Sequence, residues 1–66
     1  MIYECFLKAD NMIVDNFVGA YSSLSKAKYH SKEIIKALKF ANKDIPFFIA
    51  IRESKNYRIV EKIQGE

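Results

Sequence analysis

The segment SSLSKAKYHSKEIIKALKFANKDIP, Ser22–Pro46, decides the fold. It opens with two serines, and either hydroxyl can accept a hydrogen bond from the free amides of a first helical turn. Leu24, Ala27, Ser31, Ile34, Ile35, Leu38 and Ala41 then recur at spacings of three and four. That spacing gives one apolar stripe on a helix. Asn42 suits a left-handed terminator, and Pro46 forbids continuation. The segment therefore predicts a helix over about Ser23–Ala41, with Leu38 and Ile34 buried against the sheet at Ile49.

The flanking sequence reads as strands. IYECFLKA, Ile2–Ala9, is apolar and aromatic. Asp10–Asn11 suits a two-residue hairpin turn. MIVDNFV, Met12–Val18, is the second strand, and Gly19 ends it. PFFIAIRE, Pro46–Glu53, is nearly all apolar and reads as a central strand. Ser54–Asn56 is a turn, YRIVEKI, Tyr57–Ile63, is the last strand, and Gln64–Glu66 is a tail. The order is ββαββ in one domain spanning residues 1–66. With the two most apolar strands central, the sheet order is 2-1-3-4, fully antiparallel, with the helix on one face: an α+β fold.

Alternation assigns Cys5, Leu7, Phe47, Ile49, Ile51 and Ile59 to one face of the sheet. The other face then holds Ile2, Glu4, Phe6, Lys8, Phe48, Ala50, Arg52, Arg58, Val60 and Lys62. That second set is too apolar for plain exposure to water, and a contiguous apolar patch marks a contact surface. A chain of 66 residues buries a small core. Self-association as a homodimer through this face would enlarge it.

The charge is as uneven as the hydropathy. The chain carries a formal +3. Lys26–Lys43 contains six lysines and one acid, Glu33, so the whole basic surplus lies on the helix. At about 100° per residue, Lys28, Lys32, Lys36, Lys39 and Lys43 form one stripe beside the buried face. Tyr29 and Phe40 fall farther round, away from the core. A solvated helix back explains the lysines by itself. The functional reading is a surface for an acidic protein partner, anchored by Tyr29 and Phe40. An alternative is nucleic acid, bound by the basic helix stripe or by the second sheet face, where Phe6 and Phe48 would stack on bases while Lys8, Arg52, Arg58 and Lys62 meet phosphates. No RNA-recognition signature of glycines and aromatics accompanies them.

Parts for catalysis are sparse. His30 is the single histidine and Cys5 the single cysteine, which excludes an internal disulfide and argues against structural zinc. A Cys5–His30 nucleophile pair would lack an orienting third group. Glu4 and Glu61 could approach across the sheet, but a paired acid needs a cleft. Asp10, Asp15 and Asp44 have no metal-loop spacing, and the two glycines form no phosphate-binding loop. No run reaches the roughly 20 apolar residues of a membrane span. Glu4 stands where a secretory signal would be basic. These features predict a small, non-enzymatic cytoplasmic interaction protein without a cofactor, an inhibitor or adaptor. Its lysine-, isoleucine- and asparagine-rich makeup fits an AT-rich bacterial or phage genome.

Overall fold

The computed structural model describes residues 1–9, 16–41 and 46–64. Four strands and one helix follow in the order β1 (Tyr3–Ala9), β2 (Asn16–Tyr21), α1 (Leu24–Ala41), β3 (Phe47–Glu53) and β4 (Ile59–Gln64). The sheet order is β2-β1-β3-β4 and every pairing is antiparallel. This is the expected α+β arrangement, with α1 packed on one face.

The start of α1 follows from Ser23. Its Oγ accepts from the Lys26 amide at 3.2 Å, and its carbonyl accepts from the Ala27 amide at 3.1 Å. These bonds satisfy donors that have no partner inside a first turn. Ala27, Ser31 and Ile35 are the buried helix residues. Two of the three are small, so the helix axis can approach the sheet closely. Cys5, Ile49, Ile51 and Ile63 complete the buried cluster from the strands. Leu24 and Ile34 pack on it while half-buried. Leu38 is also only half-buried, and Ala41 is exposed. The expected deep pair of Leu38 and Ile34 therefore gives way to Ile35, because the stripe points at the sheet through Ala27, Ser31 and Ile35.

The pairing of β1 with β3 is regular from Tyr3↔Glu53 to Ala9↔Phe47. Both outer pairings are interrupted. Cys5 pairs with Gly19 but Phe6 with Phe17, so Val18 is an extra residue in β2. Ile51 pairs with Glu61 but Arg52 with Ile59, so Val60 is an extra residue in β4. Each is a β-bulge, with two residues on one strand opposing one on the other. Both valines pack against the buried cluster.

The bulges correct the face assignments made by alternation. Val60, expected on the open face, turns to the core. Ile59, expected with the core, stands opposite Arg52 and is exposed. Glu61 pairs with Ile51 on the helix side, whereas Glu4 pairs with Arg52 on the open side, so these two acids do not meet. The second strand also differs. A two-residue turn at Asp10–Asn11 would set Leu7 opposite Val14, but Leu7 pairs with Asn16. Residues 10–15 lie outside the described residues. Gly19 falls within β2 rather than ending it. A Cβ there would lie 2.8 Å from the Tyr21 hydroxyl, so glycine leaves room for that ring.

The β3–β4 turn is built on Glu53. Its amide donates to the Arg58 carbonyl, and its own carbonyl accepts from the Tyr57 amide, both at 2.9 Å. Tyr57 closes the turn with φ of 60°, a left-handed conformation that costs a non-glycine residue about 1 kcal/mol.

Candidate interaction surfaces

Two surfaces emerge from this scaffold. The first lies between α1 and the edge strand β4. Lys32, Lys36 and Lys39 project from the helix over a groove of about 420 Å³, with Ile35 and Ile63 at its floor and Lys62 and Gln64 at its rim. The floor is apolar because Ile35 and Ile63 belong to the core. The wall is basic because residues 32, 36 and 39 lie just outside the buried stripe. Among the described residues, the ion pairs are Lys28–Glu61 at 3.7 Å, Arg52–Glu4 at 2.8 Å and Arg58–Glu53 at 3.3 Å. Lys32, Lys36 and Lys39 take part in none of them. Lys28, expected in the same stripe, is held to β4 instead. Lys43 lies outside the described residues.

The helix back continues this surface. Phe40 is 86% exposed and Tyr29 61% exposed, as their angular positions require. Glu33, Lys36, Ala37 and Phe40 line a shallow hollow of about 370 Å³. Tyr29 meets His30 edge to face at 5.3 Å, and His30 stacks on Tyr21 at 4.8 Å. His30 is therefore spent on aromatic packing. Cys5 meets Ser31, whose hydroxyl donates to Sγ at 3.5 Å. Burial pushes the Cys5 thiol above its usual 9.0, partly opposed by that hydrogen bond. A buried thiol that holds its proton is a poor nucleophile. Among the described residues, no three of His, Cys, Asp and Glu gather to hold a metal ion.

The second surface is the sheet face away from the helix. Its central feature is Arg52. The guanidinium lies 4.5 Å from the Phe6 ring centroid and 4.9 Å from that of Tyr57. Nε and one terminal nitrogen of Arg52 donate to a single Glu4 oxygen at 3.2 and 2.8 Å. Phe17, which alternation alone did not bring forward, meets Phe6 edge to face at 5.6 Å. The Lys62 ammonium lies 5.6 Å from the Phe48 centroid. Phe6, Phe48, Arg52 and Lys62 thus share one face, as expected. Arg58 does not join them: its guanidinium is bound to Glu53, on the helix-side register. Arg52 and Lys62 are already placed over rings of this face, and Arg52 is neutralised by Glu4.

Among the described residues, no helix is long and apolar enough to cross a membrane. Comparison with family models, curated proteins and solved structures gave no match to this chain.

Proposed function

We propose that this chain is a small, non-enzymatic interaction domain that binds an acidic surface of a larger protein through the α1–β4 groove. The observation that carries this reading is the convergence of Lys32, Lys36 and Lys39 on one groove with an apolar floor, none of them in an ion pair among the described residues. Carboxylates of a partner would meet the ammonium groups, while an apolar side chain would cover Ile35 and Ile63. Phe40 and Tyr29 supply exposed rings beside the charges, the kind of residue that anchors protein interfaces.

The nucleic-acid alternative is weaker on the sheet. Base stacking needs free ring faces and phosphate binding needs free cations. Arg52 covers Phe6 and is itself bound by Glu4, and Lys62 leans over Phe48.

The test is fluorescence anisotropy at low salt with two probes, a polyglutamate peptide and oligodeoxythymidine. Lys32→Glu/Lys36→Glu should abolish polyglutamate binding. Lys26→Glu/Lys55→Glu, with the same net charge, should retain most of it. Affinity should fall as salt screens the field. Tighter binding of the oligonucleotide would favour the alternative. Equal loss in both double variants would reduce the effect to net charge and overturn the groove. Once a protein partner is in hand, Phe40→Ala should weaken its binding at every salt concentration, because apolar contact is not screened.

A further inference from the structure

The open face of the sheet remains without a role in that reading. Its exposed apolar residues are concentrated: Ile2, Phe17, Tyr57 and Ile59 belong to this face or its rim, out of seven large hydrophobic residues exposed among the described residues. The strand registers arrange the face in rows. One row runs Ala20, Glu4, Arg52, Ile59 from β2 to β4. The next runs Phe17, Phe6, Ala50, Lys62. The midline between β1 and β3 divides each row into complementary halves, with Glu4 beside Arg52 and Phe6 beside Ala50.

The geometry points to a symmetric homodimer through this face, its two-fold axis parallel to the strands and between β1 and β3. Such an axis lays each row on its own reverse. Glu4 of one copy then faces Arg52 of the other. Phe6 comes opposite Ala50, the smallest side chain of the row. Phe17 comes opposite Lys62 at the ends of the row. An axis across the strands, between the two rows, would instead set Glu4 over Phe6 and Arg52 over Ala50, charge against apolar surface. The self-complementary pattern is what a two-fold interface requires, since one patch must serve both sides.

The dimensions agree. Stacked sheets lie about 10 Å apart with strands within about 30° of each other, and an axis along the strands produces that alignment. The helix with Lys32, Lys36 and Lys39 stays outside, on opposite sides of the dimer, so this inference stands whether or not those lysines bind an acidic partner.

Sedimentation velocity across the micromolar range tests the state. The wild-type chain should sediment as a dimer. Phe6→Glu should weaken it on the order of 100-fold, and Glu4→Arg likewise, by placing like charges together. The exchange Glu4→Arg/Arg52→Glu should restore it. Circular dichroism of each variant confirms the fold. Bridging Ala20→Cys/Ile59→Cys with a two-carbon bis-methanethiosulfonate tests the axis. Facing positions on the stacked sheets lie about 10 Å apart, too far for a direct disulfide but within reach of that reagent, whereas within one chain the two positions are three strand spacings apart, roughly 14 Å. The expected product is a reducible covalent dimer. Cys5, 1% exposed, does not compete. A monomer at hundreds of micromolar, a dimer indifferent to Phe6→Glu, or a dimer without the Ala20→Cys/Ile59→Cys crosslink overturns the proposal.

Discussion

The two faces of this sheet are made from the same four strands and solve different problems. The centre of the face under α1 is aliphatic. Ile49, Ile51 and Ile63 meet Ala27 and Ile35, with the Ser31–Cys5 contact among them, while Tyr3, Tyr21 and Phe47 pack round the cluster. An isoleucine has no group to offer water, so this face exists only because a second layer covers it. The other face is aromatic and charged. Phe6 carries Arg52, Phe48 carries Lys62, and Glu4 holds Arg52 in place. A phenylalanine can be half-covered by a cation, and the cation keeps its contact with water. Alternation sorts residues onto faces. Whether a face needs a lid depends on what the side chains can do for one another without one.

This contrast makes the covered face the more sensitive to truncation. Ile51→Ala should cost about 2–5 kcal/mol by chemical denaturation, because Ile51 is fully buried and a cavity would remain. That is a large part of the stability of so small a domain. A loss no greater than that of an open-face variant would erase the distinction.

Cys5 sharpens it through pH. Its thiol is raised above 9.0, first by burial, against an opposing hydrogen bond from Ser31. Above that value the unfolded chain releases the proton while the folded chain retains it. Stability should therefore fall as pH rises beyond 9.0, by up to about 1.4 kcal/mol per pH unit, and level off once the folded thiol ionises. Cys5→Ala should lack this component, so the measurement is the difference in alkaline slope between the two proteins. Identical slopes would mean that the thiol is open to water.

Arg52→Met should have the smallest effect, about 0.5–1.5 kcal/mol at concentrations where the chain is monomeric. It loses a part-exposed ion pair and two ring contacts but keeps the aliphatic stem. A cost above that of Ile51→Ala would make the open face the true core.

The sequence carries the architecture well. Ser23, the three-and-four spacing and Pro46 delimit α1, and the apolar run Phe47–Ile51 marks a central strand. The exposure of Phe40 follows from its angle alone. The edge strands were less legible, because a bulge has no dedicated residue type. Its trace is indirect. Phe17–Val18 and Ile59–Val60 are adjacent apolar pairs where strict alternation asks for one polar residue, and the bulge sends the valine of each pair to the core. The partners of the arginines were hidden for a related reason. Arg52 and Arg58 read as free cations until the β1–β3 register and the Glu53 turn supply Glu4 and Glu53. The left-handed Tyr57 had no signal, since Asn56 is the residue type expected in that conformation.

The two bulges have a colloidal consequence. They sit on the two strands that border the sheet, where unpaired backbone would otherwise recruit further chains. An added residue breaks the even spacing of donors and acceptors and increases the local twist. Neither border then offers the long, flat template on which a fibril grows. Contact through a face ends once that face is covered, whereas growth along a border has no natural end. Val18 and Val60 therefore pack their side chains against the interior while their backbones interrupt the two borders of the sheet.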